Sequence, residues 1–449
     1  MSDVNNTMVN QEDQPLFEEF KPLDLSSAEL EVLQKEYPIR DIFQYAGSGI
    51  LNDPNIHLSH QQVKAIRDIS LCKTGELGYD AAYCPNCKKV LIHNVSCNNR
   101  MCPNCQALEE KIWVEKRKAE TIEGISYFHA VATLPDELNP LFFLNQSSLY
   151  SLLQQSAGNA IVDMSRSRQH GGFMPGVTSV LHTAGSNMRY HPHVHMIVTG
   201  GGLTREKQFV ETSHKTFFLP EKAVAAVFRG KFLEGLKHFH DAGKLVLPDS
   251  TQMESKIDLN DPNMWKSFIN SLYNEDWVFF IRETYNGRGN ALEYLGRYVF
   301  HTAIKNSRII SFTQADEKHP EGQVIFAYKD YSVKNEYGYA WKQMALTPKQ
   351  FVLRFIQHVL PKGYSRVRYF GFLANAVKKK NLKLIAQLLG RPFLTSFVCG
   401  KSKAQLMEFF FNRDINCCPH CRAKLIKLGR VDREQVAQEK HPKWRDKAA

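Results

Sequence analysis

Apolar residues recur along this chain with two different periods, and the alternation between them predicts an α+β protein. Leu30, Leu33 and Tyr37, then Val63, Ile66 and Ile69, fall three or four apart, the spacing of one helix face, so residues 25–75 are read as a small helical region. A charged helix follows over Glu109–Ala119, with further predicted helices over Leu149–Met164, Glu221–His240 and Asn290–His301. Tyr127–Leu134, ended by Pro135, and Trp277–Tyr285 read as strands. Residues 308–314 and 323–330 predict a hairpin across a polar turn. Residues 1–16 are polar and read as disordered. The elements divide into a helical and cysteine-rich part over 17–120, a strand-rich domain over 121–335 and a basic region over 336–449.

One strand carries chemistry. His191-Pro192-His193-Val194-His195 runs directly into Met196-Ile197-Val198. Alternate side chains of a strand share a face, so His193 and His195 project together while Val194 points the other way. His182 lies eleven residues before His193. If 176–183 and 193–199 pair as an antiparallel hairpin, His182 faces the same point. A lone strand histidine is usually packed or solvated. Three on two neighbouring strands make a divalent-metal platform with coordination positions left open for catalysis. His191 falls in phase but sits beside Pro192 at the strand edge, and is read as a loop or supporting residue.

The ten cysteines add a second kind of site. Cys84-Pro-Asn-Cys87 and Cys102-Pro-Asn-Cys105 are two knuckles fourteen residues apart, the spacing of a four-thiolate zinc ribbon. Cys97 between them is a fifth candidate ligand. A third knuckle, Cys418-Pro-His-Cys421, makes Cys418 and Cys421 candidates for a second, incomplete zinc site, and Cys72 reads as a packed thiol. No apolar run approaches the ~18–20 residues of a membrane span, and Met1–Pro15 has no apolar signal core, which predicts a cytoplasmic protein.

Charge points to a polyanion. The 449 residues carry a net charge of +11, and the 71 residues from Tyr337 to Met407 contain thirteen Lys and Arg and no Asp or Glu. Solvated basic faces normally interleave acids; their complete absence favours a nucleic-acid surface. Candidate contacts are Lys362, Arg366, Arg368, Lys378, Lys379 and Lys380, with Phe351, Phe355, Tyr364, Tyr369, Phe370 and Phe372 as aromatics for base stacking.

Glu293-Tyr294-Leu295-Gly296-Arg297-Tyr298 places two phenols four apart, on one face of the predicted helix 290–301. Together with Ser96-Cys97-Asn98-Asn99-Arg100-Met101-Cys102-Pro103, Tyr127-Phe128-His129, Leu181-His182-Thr183, His191–His195 and Leu360-Pro361-Lys362-Gly363-Tyr364, this segment resembles the rolling-circle transposases of the HUH superfamily, in the insertion-sequence family numbered ninety-one. The resemblance spans about residues 28–425. It implies the HUH-endonuclease fold, a central antiparallel sheet flanked by helices, with an N-terminal helical and zinc-ribbon domain and a basic C-terminal domain. It also implies two nucleophilic tyrosines, matching Tyr294 and Tyr298, with Arg297 between them as a DNA contact. A catalytic Mg²⁺ or Mn²⁺ would lie on His193, His195 and His182, and structural Zn²⁺ on the cysteines. The expected partners are single-stranded DNA, with hairpin-containing transposon ends, and target DNA. A plasmid replication initiator or relaxase with the same chemistry, and a non-catalytic zinc-dependent DNA-binding regulator, are the alternatives.

Overall fold

The computed structural model describes residues 39–212, 218–253, 257–283, 299, 303–335 and 338–431. The segment expected to be disordered, 1–16, lies outside the described residues, as does most of the predicted helix 290–301.

The centre is an antiparallel sheet in the order β11-β4-β5-β3-β7. Its strands are β3 (Tyr127–Thr133), β4 (Met174–Ala184), β5 (Tyr190–Leu203), β7 (Val278–Glu283) and β11 (Val367–Gly371). A short β6 (Phe209–Glu211) pairs with β5. Strand alternation gives the sheet two chemically different faces. Phe128, Ala130 and Ala132 of β3, Val194, Met196 and Val198 of β5, and Val177 and Leu181 of β4 all enter one large apolar core. Helices α5 (Gln146–Arg166) and α6 (Glu221–Asp241) cover that face, joined in its core by α4 (Asn139–Leu144) and α7 (Pro262–Asn274). The opposite face carries Val180, Ile197 and Tyr127, packed with Val299, Phe372, Leu382 and Ile385.

Two glycines permit the close approach of β11. Gly158 of α5 stands where a Cβ would fall 2.5 Å from the Phe370 ring, and Gly371 turns with φ +62° against the Pro175 carbonyl.

A second core joins α1 (Ile39–Asn52) and α2 (His60–Leu71) to strands β8 (Ile309–Thr313), β9 (Gln323–Asn335) and β10 (Gly338–Leu346), and to α8 (Pro348–Ile356). Phe43 and Phe355 meet edge to face at 5.1 Å in its middle. Capping boxes begin α2 (Ser59, Gln62) and α8 (Thr347, Gln350), which satisfy otherwise orphaned backbone donors. The N-terminal helices therefore do not stand apart: they pack on strands drawn from the expected catalytic and basic regions. The boundary expected at 335/336 is likewise crossed, because β9 pairs with β10 and β11 joins the central sheet.

Arg100 explains why two of the distant sequence motifs occur together. Its guanidinium donates to the carbonyls of Leu360 (2.7 Å), Pro361 (2.8 Å) and Tyr364 (2.8 Å), tying the cysteine loop to the turn before β11. Among the described residues, no helix is long and apolar enough to cross a membrane.

Candidate active site

The register of β4 and β5 sets His182 opposite His193 and Val180 opposite His195. The inward side chains of both strands thus share the face away from the large core. His193 Nε2 and His195 Nε2 lie 3.1 Å apart. The His182 ring stands edge-on to both, with centroids at 5.2 and 5.5 Å. Ligand atoms of all three fall within 4.8 Å of one another.

Supporting hydrogen bonds decide which nitrogens are presented. His193 Nδ1 lies 2.7 Å from the His191 carbonyl, which can only accept. The proton is therefore on Nδ1, and the Nε2 of the neutral ring carries the lone pair. On the other side, His195 Nδ1 lies 3.0 Å from Nε2 of His129, whose ring stacks on it at 5.3 Å. Burial holds the His193 imidazole down to about 3 and that of His129 to about 4, so both are neutral at physiological pH. Imidazoles around one point, with His193 and His195 each steadied through the far nitrogen, suit a cation. Ligands at ~2.1 Å from a shared ion stand about 3.0–3.4 Å apart, which the His193–His195 separation matches. His129 falls in the motif Tyr127-Phe128-His129 that the resemblance rests on but has no site role in the sequence reading; its place in the alternation Tyr127, His129, Val131 is the signal that puts it on the histidine face. His191 contributes its carbonyl, and its ring pairs with Asp136 at 3.2 Å.

Tyr294, Arg297 and Tyr298 lie outside the described residues. Their described neighbour Val299 is buried, in the same apolar cluster as Val180 and Ile197 of the histidine face. Its carbonyl accepts from Arg366 Nη1 at 3.0 Å. Further on, Ala303 lines a small cavity with His182, Met101, His358 and Arg366.

The cysteines depart from the sequence expectation of a single ribbon. Cys102 and Cys105 gather with Cys97 and Cys72, while Cys84 and Cys87 gather with Cys418 and Cys421. In the first group Cys72–Cys105 and Cys97–Cys105 are 3.7 and 3.5 Å apart. Thiolates bound tetrahedrally at ~2.3 Å stand about 3.8 Å apart, so this group fits zinc. Cys72 is thus brought to a ligand set and is no mere packed thiol, and Cys97 is a full member of that set. The first knuckle stands at the tip of the hairpin formed by β1 (Tyr79–Cys84) and β2 (Lys89–Asn94), with Cys72 before the hairpin and Cys97 to Cys105 after it, which carries Cys84 and Cys87 away from Cys102.

The basic candidates also divide. Lys362, Lys379 and Lys380 are exposed. Arg366 turns inward, and burial pushes its guanidinium down to about 10. Arg368 donates to Ser151 at 2.7 Å, and Lys378 pairs with Glu120 at 2.8 Å beneath the Tyr369 ring. The expected stacking aromatics are mostly core: Phe351, Phe355 and Phe372 are fully buried and Tyr364 nearly so. They pack the second core and the sheet, because an acid-free stretch still has to supply apolar residues to the interior. Exposed rings in the same region include Tyr339, Phe393, Phe397, Phe409 and Phe411.

A family model described as "Putative transposase" matches residues 176–381, from the histidine hairpin into the basic segment. A second, the IS91 "Transposase zinc-binding domain", matches residues 42–134. "Putative transposase y4qJ" of Sinorhizobium fredii is 32% identical over 385 residues, covering 85% of this chain and 92% of the relative. "Transposase for insertion sequence element IS801" of Pseudomonas savastanoi pv. phaseolicola is 28% identical over 374 residues, covering 81% of this chain and 83% of the relative. No solved structure matches.

Proposed function

The chain belongs to the IS91 family of rolling-circle transposases, and from that premise we propose that it nicks and rejoins single-stranded DNA through tyrosine–DNA links at the histidine face of its central sheet. Family membership disfavours the replication initiator, the relaxase and the non-catalytic regulator. We read the antiparallel sheet with its histidine pair on the central strand β5 as the HUH-endonuclease fold.

His193, His195 and His182 would hold the cation, with His129 and the His191 carbonyl keeping the first two rings in the liganding orientation. Bound there, Mg²⁺ or Mn²⁺ supplies charge withdrawal from the scissile phosphate. Tyr294 or Tyr298 provides the nucleophile: its phenolic oxygen bonds to phosphorus as the bond to the 3′ oxygen breaks, leaving a 5′-phosphotyrosine and a free 3′-hydroxyl. One phosphoester replaces another, so no nucleotide hydrolysis is required. The same 3′-hydroxyl can later attack a phosphotyrosine and reseal a strand. Two phenols four residues apart in the sequence would let donor and target strands be held in turn. Exposed Lys362, Lys379 and Lys380 are proposed to contact phosphates, and hairpin-containing transposon ends and target DNA are the proposed substrates.

The observation that carries this reading is the 3.1 Å approach of the His193 and His195 Nε2 atoms, on the face where Val299, next to Tyr298, is buried. A labelled single-stranded oligonucleotide carrying the element's end tests it. Cleavage should require Mn²⁺ or Mg²⁺ and vanish in His193→Ala. Cleavage by that variant at the wild-type rate would remove the metal assignment.

A further inference from the structure

Cys84 and Cys87 lie at the turn between β1 and β2, whereas Cys418 and Cys421 precede β12 (Ile426–Val431), more than three hundred residues later. Cys84 and Cys421 are 3.5 Å apart, and Cys87 and Cys418 are 3.9 Å apart. These separations bracket the edge of about 3.8 Å expected when four thiolates surround one zinc ion.

The backbone shows that the two knuckles are equivalent halves of one site. Each reads Cys-Pro-x-Cys followed by a basic residue, and that residue is left-handed in both: Lys88 at φ 54° and Arg422 at φ 63°. A left-handed conformation costs a non-glycine residue energy and recurs only where the surroundings demand it. The knuckle at Cys102–Cys105 lacks this feature. There Gln106 has φ −94° and leads into α3 (Ala107–Lys118). Amide N–H of Cys87 points at Cys84 Sγ (3.3 Å), as thiolate-binding turns do.

Little else holds this corner together. β1 pairs with both β2 and β12, and Arg430 donates to the Leu77 carbonyl at 2.6 Å. Among the described residues, the small core here holds Cys84 and Cys418, both fully buried, and nearly buried Leu425, with Ala82, Leu91 and Ala423 partly buried against them. A three-stranded sheet with so small a core needs a staple to persist. Neither family match reaches Cys418 and Cys421.

We propose that Cys84, Cys87, Cys418 and Cys421 bind a second structural zinc ion, a clasp that fastens the C-terminal strand β12 onto the N-terminal cysteine domain. The β1–β2 hairpin and the segment leading into β12 are then closed on one another through metal, and the site's binding energy is folding energy for that corner.

Metal content and thiol protection of the purified full chain test the clasp. Two zinc ions per chain are expected, and the double variant Cys418→Ser, Cys421→Ser should hold one. Cys421→His, which restores a zinc-binding side chain, should return the count to two. In wild-type protein, iodoacetamide should label Cys399 and Cys417 and spare Cys418 and Cys421 until a chelator is added. That measurement stands even where a variant fails to fold. One zinc per wild-type chain, two in the double variant, or rapid labelling of Cys418 and Cys421 without chelator would overturn the proposal.

Discussion

His129 hydrogen-bonds His195 across the β3–β5 pair, Nε2 to Nδ1 at 3.0 Å, with the rings stacked at 10°. The contact fixes the far side of His195 and so aims its other nitrogen at His193. A support of this kind is typically worth 10–100-fold in metal affinity. His129→Ala is therefore expected to weaken Mn²⁺ binding by about that factor while leaving DNA binding near wild type, as read by calorimetric titration and anisotropy. Unchanged Mn²⁺ affinity would show that the stack only fills space.

His358 is buried and bonds the Met188 carbonyl through Nε2 at 3.1 Å, and burial holds its imidazole down to about 4. The unfolded chain binds that proton near pH 6.5 and the folded chain does not. Stability from this group is thus complete above pH 6.5 and lost as pH falls toward 4. His358→Gln keeps the donor to Met188 and removes the titration. The wild type should lose stability relative to the variant by up to about 1.4 kcal/mol per pH unit between 6.5 and 5 in denaturant titrations. Parallel curves would refute this.

Gly158→Ala probes the approach of β11 to α5. A helical Gly→Ala change ordinarily stabilises by ~1 kcal/mol. Here the new Cβ would meet the Phe370 ring at 2.5 Å. Overpacking should win, giving a net loss of about 1–3 kcal/mol in the urea midpoint analysis. A stabilised variant would mean that Phe370 yields freely.

The exposed lysines are separable from the buried arginine. Reversing Lys362, Lys379 and Lys380 to Glu should reduce the slope of log K against log salt by about 2, since each phosphate contact on single strands contributes about 0.7. Arg366→Ala should instead lower the melting temperature, because its partners are the Val299 carbonyl and Met101. An unchanged salt slope would mean that these lysines face water.

Local periodicity made the histidine hairpin legible. The β4–β5 register places His182 opposite His193, as the two apolar runs implied. Individual helices and strands followed from the same periods, whereas the central antiparallel sheet flanked by helices was implied by the family resemblance. Partnership between cysteines was not legible in this way. Two adjacent knuckles at ribbon spacing read as one site, while the true partner of Cys84 and Cys87 lay near the other end of the chain. Eight thiols, counting Cys72 and Cys97 with three knuckles, do make two complete sets of four, and that arithmetic was the missed signal. Burial was similarly hidden: Phe351, Phe355 and Phe372 occur among lysines but fill cores built from distant segments.

The phenol oxygens of Tyr294 and Tyr298 are the centre of the account, and a covalent protein–DNA adduct reports on them directly. Phenylalanine keeps the ring and removes the attacking atom. Wild-type protein incubated with a labelled single-stranded end and Mn²⁺ should give a slowly migrating adduct on a denaturing gel. The adduct should disappear without metal, in His193→Ala, and in Tyr294→Phe with Tyr298→Phe. An adduct persisting in the double tyrosine variant would contradict the account and move the nucleophile elsewhere, with Tyr285 the next candidate in sequence.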